Sequence, residues 1–121
     1  MKNKEKFVIQ RHSSDADVHW DFMLQKGGCL QTWRIDLPPE QIKGQAVKAE
    51  RIFDHPLKFL TYEGPVKNNT GQVRIADLGN YDILDKNEKE TLLQIDGQVL
   101  KGRFTFNHIE KDMWQLQRTI D

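Results

Sequence analysis

The sequence contains little cysteine, proline or glycine, with one, four and eight residues among 121. The single cysteine, Cys29, cannot form an internal disulfide and lacks the paired spacing of a zinc ribbon or redox motif, so we predict that it only fills space in a reducing compartment. The low share of glycine and proline excludes a fibrous or disordered composition. With 37% apolar and 30% charged residues, residues 1–121 are expected to form a single globular domain.

Long hydrophobic runs are also absent, and neither sign of charge is in excess. No apolar run approaches the roughly 20 residues of a membrane-spanning helix. The first six residues are mostly charged and the run Phe7-Val8-Ile9 is far shorter than the apolar part of a signal peptide, so we expect a cytoplasmic protein with no membrane association. Eighteen basic residues balance eighteen acidic ones. Because no global positive field results, any contact with nucleic acid must be local.

Apolar and polar residues alternate in many short runs, a pattern typical of β-strands. We predict strands at residues 6–10, 19–25, 29–36, 46–53, 72–77, 81–84, 91–96, 103–108 and 113–118. Turns are predicted at Lys26-Gly27-Gly28, Asn68-Asn69-Thr70-Gly71, Gly79-Asn80, Lys86-Asn87 and Asp96-Gly97. One short helix is expected to start at Pro38-Pro39-Glu40, end at Gly44 and cap the sheet. Because closure avoids open strand edges, the predicted fold class is mainly β, a small closed or nearly closed β-barrel with one short helix.

The densest polar cluster lies between His12 and Leu24. Alternation along the predicted strand places Trp20, Phe22 and Leu24 on one face and His19, Asp21 and Met23 on the other. The bulky apolar set must face the core, so His19 and Asp21 point outward together, and His12 in the preceding loop is a third candidate ligand. Two imidazoles and one carboxylate form an open site suited to Mn, Fe, Co or Zn. The alternative is a hydrogen-bonded surface pair of His19 and Asp21, with His12 an ordinary loop residue.

A second polar cluster follows the strand that we predict to end at residue 53. Asp54 or Glu63 is expected to hold the ring of His55 and to raise its pKa toward the range of a proton donor. Arg51 offers a planar guanidinium that can bind a phosphate. The alternative is a solvated histidine at a strand-to-turn junction beside an ordinary surface arginine.

The remaining large rings and the last histidine are expected to be structural. Alternation places Phe104, Phe106 and His108 on one face, so we predict that His108 is a hydrogen-bonded residue at the end of the barrel and not a ligand. Trp33 and Trp114 are predicted to anchor the core, because large aromatic residues supply much of the burial in a small domain.

Several short motifs occur along the chain in a defined order. They are Phe7-Val8-Ile9-Gln10-Arg11-His12, His19-Trp20-Asp21-Phe22-Met23-Leu24, Thr32-Trp33, Asp54-His55-Pro56-Leu57, Tyr62-Glu63-Gly64, Gly71-Gln72-Val73, Leu78-Gly79-Asn80-Tyr81, Leu100-Lys101-Gly102-Arg103-Phe104 and Trp114-Gln115-Leu116. This order resembles the 3′-phosphoesterase domain of bacterial and archaeal DNA ligase D and its small standalone relatives. The resemblance covers nearly the whole chain.

The resemblance implies a compact β-barrel whose polar groove binds a divalent metal, usually manganese. Such domains remove a 3′-terminal ribonucleoside and then the 3′-phosphate from DNA or primer-template ends, which leaves a 3′-hydroxyl. By position, His12, His19 and Asp21 match the metal-binding residues of the family. His55 matches its phosphate-contacting histidine.

The chain also departs from this pattern. Ligase-linked members carry an arginine at the position of Met23, a tyrosine at that of Phe59, and a lysine-bearing segment at residues 34–38. The six residues between His12 and His19 are one more than the pattern implies, so Asp15 or Asp17 is an alternative ligand. Our hypothesis is that Arg51 replaces the missing guanidinium.

The resulting prediction is a metal-dependent phosphoesterase that acts on 3′ ends of DNA or RNA–DNA in end repair. His12, His19 and Asp21 would hold Mn²⁺, with Zn²⁺ or Co²⁺ as alternatives. Arg51 and His55 would stabilise the developing charge, and protonated His55 would donate a proton to the leaving oxygen.

The partners that we expect are nucleic-acid 3′ ends and a ligase or polymerase, and the chain is predicted to be a monomer. A groove that holds a duplex end needs local cations, and the candidates nearest along the chain are Lys48, Arg51, Lys67 and Arg74. Two other functions stay open. One is a module or repair accessory protein that binds nucleic-acid ends with little or no turnover, and the other is a phosphatase of small molecules.

Overall fold

Alternating apolar residues form nine strands in the residues that a computed structural model describes, 4–66 and 71–119. The strands are β1 (Glu5–Ser13), β2 (Val18–Lys26), β3 (Cys29–Ile35), β4 (Val47–Pro56), β5 (Gly64–Pro65), β6 (Gln72–Lys86), β7 (Glu90–Gly97), β8 (Lys101–Glu110) and β9 (Met113–Arg118). Two short 3₁₀ helices, Pro39–Gln41 and Leu57–Leu60, precede and follow β4. No helix in the described ranges is long and apolar enough to cross a bilayer.

Eight of the strands close into an antiparallel barrel. Their order is β1-β2-β3-β4-β9-β8-β7-β6, and β6 pairs again with β1. The two-residue strand β5 pairs with the start of β6. Closure gives each of these eight strands a neighbour on both sides, so none of them is a free edge along its whole length. The predicted mainly β barrel is confirmed.

The inward side chains form one aromatic-rich core. Trp33 stacks on Phe106 with ring centroids 4.5 Å apart and meets Trp114 edge-on at 5.7 Å. His108 stacks on Trp114 at 4.6 Å, and its Nε2 is 2.6 Å from the carbonyl oxygen of Lys111. The predictions that Trp33 and Trp114 anchor the core and that His108 is hydrogen-bonded at the barrel end are confirmed.

A second, smaller apolar cluster lies on the outer face of the barrel. Val8, Met23 and Leu30 are fully buried there. The helix Leu57–Leu60 covers them with Phe59 and Leu60. The outward face of β1, β2 and β3 is therefore partly enclosed, and polar residues on that face lie beside an apolar floor.

The long strand β6 corrects one prediction. Residues 72–77 and 81–84 belong to a single strand, and Gly79-Asn80 lies within it instead of forming a turn. A Cβ at Gly79 would lie 2.1 Å from the carbonyl oxygen of Asp96. Glycine at this position allows the β7 backbone to pass close by. A local sequence pattern does not distinguish such a glycine within a strand from one in a turn.

The other turns follow the prediction in part. Lys26 pairs with Cys29 across the tight hairpin, and Asn87 lies between β6 and β7. Asp96 and Gly97 end β7, so the turn falls at the next two residues. Residues 67–70, which include most of the predicted Asn68–Gly71 turn, lie outside the described residues.

The helices and two strand ends also differ from the prediction. The expected helix is only the 3₁₀ turn Pro39–Gln41, because Ile42 is extended and buries its side chain in the core. The helix Leu57–Leu60 was not predicted. His12 lies in β1 and not in a loop, and His55 lies within β4 instead of following it. Both strands run longer because cross-strand pairing continues past the apolar alternation.

Candidate metal centre

Strand pairing brings His12, His19 and Asp21 together on the outer face. His12 lies directly opposite His19 in the β1–β2 register, and their ring centroids are 4.8 Å apart. Asp21 Oδ2 is 3.9 Å from His12 Nδ1, and Asp21 Oδ1 is 3.3 Å from His19 Nε2. One ligand atom from each residue lies within 4.8 Å of the others. The structure thus assembles the predicted trio, which we call the outer cluster.

The outer cluster contains a buried carboxylate oxygen without a hydrogen bond. Asp21 is 4% exposed and His19 is 9% exposed. Among the described residues, Asp21 Oδ1 makes no hydrogen bond of good geometry, and His19 Nε2 lies 3.3 Å from it. A buried anionic oxygen without a donor is costly unless a cation neutralises it. Two imidazoles and this carboxylate are a ligand set that fits a divalent transition metal.

Asp17 supports the cluster from outside the trio. Its Oδ2 accepts hydrogen bonds from His19 Nδ1 at 2.7 Å and from Arg34 Nη2 at 2.9 Å. The bond from His19 is the main reason that the pKa of Asp17 lies below its usual value. Asp21 and Asp17 raise the pKa of His19 against the effect of burial. Asp17 orients the imidazole so that its Nε2 faces Asp21, the arrangement of a carboxylate behind a metal-binding histidine.

Arg34 is the cation that sequence reasoning missed. It lies opposite Asp21 in the β2–β3 register, and its charge acts on both His19 and Asp17. Counting back across the Gly27-Gly28 hairpin would have placed it there. The motif comparison drew attention instead to a missing lysine in this segment.

His55 lies next to the outer cluster but has different partners from those expected. The charges of Asp21 and His12 both act on its pKa. Its Nδ1 is 2.9 Å from Thr32 Oγ1 and 3.1 Å from the carbonyl oxygen of Phe53. Because the Thr32 hydroxyl donates to another carbonyl at 3.1 Å, Nδ1–H is the donor to both oxygens. Nε2 is therefore the acceptor of this ring.

Neither carboxylate predicted to hold His55 does so. Asp54 accepts hydrogen bonds from Arg51 and from Cys29, and Glu63 accepts one from the backbone of Ile75. Burial lowers the pKa of His55, whereas the sequence led us to expect a raised pKa. β4 continues to pair with β3 at His55. The His55 ring therefore contacts Thr32 of β3 and not the carboxylate of Asp54.

Arg51 is held away from the outer cluster. Its Nη2 donates to Asp54 Oδ1 at 2.7 Å, its Nη1 donates to the Thr32 carbonyl at 3.2 Å, and its Cζ lies 5.1 Å from the centroid of the Trp33 ring. Trp33 belongs to the barrel core. The predicted binding of a phosphate by Arg51 stays a prediction, and no described contact supports it.

The other predicted cations have no described contact with the outer cluster either. Lys48 pairs with Gln115 and Arg74 with Arg11 in their strand registers. Lys67 lies outside the described residues.

Two further residues shape the surroundings of the cluster. Gln10 is 1% exposed, and its Nε2 donates to the carbonyl oxygens of Phe59 and Tyr62 at 3.0 and 2.8 Å. These bonds fasten the segment after β4 to β1. A Cβ at Gly71 would lie 3.1 Å from His12 Nε2 and 2.3 Å from a backbone oxygen, so glycine keeps the approach to His12 open.

An open cavity of about 410 Å³ lies beside His12. It is lined by Ser13, Ser14, Asp15, Pro65, Gly71 and Gln72. Asp15, the other alternative ligand, faces this cavity and is not part of the described outer cluster.

The family described as "DNA Ligase D 3'-phosphoesterase domain" matches residues 10–108. That range contains the outer cluster, Arg34 and His55. The chain belongs to the DNA ligase D 3′-phosphoesterase family. The resemblance inferred from the motifs is confirmed.

Its relatives in the phosphoesterase family are much longer proteins. A "Multifunctional non-homologous end joining protein LigD" from Mycobacterium bovis is 31% identical over an alignment 122 positions long, gaps included, which covers 93% of this chain and 16% of that protein. The protein of the same description from Pseudomonas aeruginosa is 31% identical over 82% of this chain and 13% of its own length. The one from Mycolicibacterium smegmatis is 24% identical over 98% and 17%. The chain therefore spans less than a fifth of these relatives.

Within this phosphoesterase-family barrel, the departures at Met23 and Phe59 have structural explanations. Met23 is fully buried in the outer apolar cluster, so position 23 supplies no polar group. Phe59 packs edge-on against His55 at 5.6 Å and against Tyr62 at 5.7 Å. The guanidinium beside the outer cluster comes from Arg34 on the next strand.

Proposed function

We propose that this chain is a divalent-metal-dependent phosphoesterase that processes 3′ ends of DNA or RNA–DNA primer-templates in DNA end repair. Membership of the phosphoesterase family and relatives named for non-homologous end joining support the reaction class and the setting. The observation that carries the proposal is Asp21 Oδ1, a buried carboxylate oxygen without a hydrogen bond beside two imidazoles.

His12, His19 and Asp21 would hold the metal. Mn²⁺ is the ion that we expect, and the same ligands suit Zn²⁺ or Co²⁺. When bound, the metal supplies a Lewis acid that polarises a phosphoryl oxygen and lowers the pKa of a coordinated water. Asp17 keeps His19 in the orientation and tautomer that this requires.

Arg34 and His55 complete the proposed site. The Arg34 guanidinium is anchored at Nη2 by Asp17, and its planar fork suits a phosphate oxygen. Burial lowers the pKa of His55, which favours the neutral ring in the free protein near neutral pH. We therefore assign His55 the role of hydrogen-bond acceptor at Nε2, instead of the proton donor that the sequence suggested.

The test is phosphate release from a 3′-phosphorylated primer-template with and without Mn²⁺. His19→Ala and Asp21→Ala should each lower kcat/KM by more than about 100-fold, because loss of a ligand costs more than loss of a residue behind it. His108→Ala is the matched control, since His108 is bonded to Lys111 at the barrel end. It should keep near wild-type activity.

Two outcomes would favour the other functions. Tight binding of the 3′ end without phosphate release in any divalent metal would indicate an end-binding module. A strong preference for free nucleotides over duplex ends would indicate a small-molecule phosphatase. Phosphate release that persists in both His19→Ala and Asp21→Ala would contradict the proposed metal centre.

A further inference from the structure

Phe53 is the most exposed large hydrophobic residue in the described part of the chain, at 75%. It lies in β4 where the register with β3 shifts, since Leu30 pairs with His55 and Thr32 with Ile52. Three steps along β4 therefore match two along β3, which is the count of a β-bulge. Bulges redirect side chains and are frequent beside active sites. The bulge explains how a large ring in a paired strand becomes so exposed.

The Phe53 ring lies flat against His55. Their centroids are 4.8 Å apart and their planes differ by 9°. On a different side, His55 meets Phe59 nearly perpendicularly at 5.6 Å, and Nδ1 is bonded to Thr32. His55 is thus held by its neighbours and supports one face of Phe53. With three quarters of the residue exposed, the other face of the ring is open to solvent.

The position of this stack relates it to the outer cluster. His55 is bonded to Thr32, and Thr32 lies opposite Met23 in the β2–β3 register, two residues along β2 from Asp21. The stacked rings of His55 and Phe53 therefore lie near the outer cluster on the outer face. A phosphate at the end of a strand is separated from its own base by a single sugar. A 3′-phosphate bound at the outer cluster would therefore bring the terminal base to this part of the surface.

We propose that the open face of Phe53 is a stacking platform for the terminal nucleobase of the strand whose 3′ end is processed. This inference rests on the proposed function and names the part of the substrate beyond the phosphate. Stacking on an aromatic ring accepts any base, which suits an activity that must act on ends of any sequence. It also supplies affinity that does not depend on neutralising phosphate charge, in a chain with no net charge.

A binding cycle tests the platform without turnover. Wild type and Phe53→Leu, each saturated with Mn²⁺, are titrated into two fluorescently labelled primer-templates that carry a non-hydrolysable 3′-phosphonate, one with a terminal base and one with an abasic terminal sugar. Binding is followed by fluorescence anisotropy. Leucine keeps apolar area at position 53 and removes the aromatic face, so the cycle isolates the contact between ring and base.

The expected result is selective. Phe53→Leu should weaken binding of the base-bearing end by about 5- to 150-fold, the range of measured base–aromatic stacking, and leave the abasic end unchanged. Phe53→Tyr should retain wild-type binding. Ile109→Ala, which removes a 53% exposed side chain from β8, is the matched surface control and should change neither constant.

Three results would overturn the platform. They are equal losses for both ends, a wild type that does not distinguish the two ends, and no loss in Phe53→Leu. Equal losses would show that the ring acts only by positioning His55. Because no turnover is needed, the cycle separates this inference from the proposed function. Selective stacking with no phosphate release contradicts only the phosphoesterase activity, and release without selective stacking contradicts only the platform.

Discussion

Two arginines, Arg34 and Arg51, show how neighbouring strands send similar side chains to different surroundings. Arg34 lies opposite Asp21 and is bonded to Asp17. Arg51 is paired with Asp54 and lies over Trp33. On residue type alone, either guanidinium suits a phosphate. Of the two arginines, only Arg34 is bonded to Asp17, which also accepts a hydrogen bond from the proposed metal ligand His19.

We expect Arg34→Ala to lower kcat/KM for a 3′-phosphorylated end by about 10-fold, with a raised KM. A charge-assisted hydrogen bond to phosphate contributes ~1.5–3 kcal/mol, and the 38% exposure of the side chain places the loss at the low end. Steady-state kinetics provide the measurement, and metal affinity should change little.

Arg51→Ala is the matched control for this substitution and should stay close to wild type in kcat/KM. A larger loss for Arg51→Ala than for Arg34→Ala would contradict the assignment. It would return the phosphate contact to the residue that the sequence favoured.

The sequence predicted the three residues of the outer cluster but not their supporting partners. Alternation in β2 placed His19 and Asp21 on one face, His12 was the third candidate from the preceding segment, and the family resemblance supported all three. Asp17 was considered only as a ligand, and Thr32 was not considered. Their roles depend on contacts across strands, which a period of two along one strand does not specify.

At the scale of elements, Asp77 holds the connection between β7 and β8. It is 2% exposed. Its Oδ1 accepts from the backbone amides of Leu78, Gln98 and Val99, and its Oδ2 accepts from Leu100. A Cβ at Gly97 would lie 2.7 Å from the same carboxylate. One buried side chain thus satisfies three amides where the chain turns back into β8, and a fourth beside it in β6.

Asp77→Asn should lower the free energy of unfolding by about 2 kcal/mol or more. The asparagine amide turns an N–H group toward a backbone donor, and hydrogen bonds to a charged acceptor contribute ~1.5–3 kcal/mol. Urea denaturation followed by circular dichroism measures the change. Asp96→Asn, an exposed neighbour in β7, should change stability by less than about 0.5 kcal/mol. Equal effects would show that the buried carboxylate has no special role.

The elements were largely predictable, and their irregularities were not. Every predicted strand falls within an observed strand, although residues 72–77 and 81–84 share one and β5 was not predicted, because local alternation reports which side of a strand is buried. Among the errors are the turn at Gly79, the ends of β1 and β4, and the missed helix Leu57–Leu60. Each depends on a distant partner: the backbone of β7 at Gly79, continued pairing at the strand ends, and the buried Met23 and Leu30 under the helix.

The whole barrel encloses its core on the inside and leaves the outer cluster on a partly covered outer face. The buried oxygen of Asp21 without a donor is then a local cost that folding of the barrel must offset. A cation at the cluster would remove that cost and bind the folded state alone. Stability and metal binding should therefore be linked through Asp21.

Mn²⁺ at about 100 times its dissociation constant stabilises the folded state by ~2.7 kcal/mol. In a domain of this size, that should raise the Tm of wild type by roughly 10 °C. Asp21→Asn should show no such shift. In EDTA, Asp21→Asn should have a Tm close to that of wild type, because it removes the contacts of Asp21 with His12 and His19 together with a buried carboxylate oxygen that makes no hydrogen bond. Differential scanning calorimetry measures both effects. Equal shifts in the two proteins would place the metal elsewhere.

The sequence by itself determined the mainly β fold, the faces of its strands and the pairing of His19 with Asp21 on one face, because side-chain alternation is a local property of an extended chain. It also named His12 as the third residue, from its place before that strand and from the order of the motifs. The tertiary structure alone decided which arginine joins the cluster, what holds His55 and where Phe53 points. Those features depend on cross-strand register, on the bulge in β4 and on the closure of the barrel. These arise from pairing between residues far apart in the chain, so no short segment contains the information.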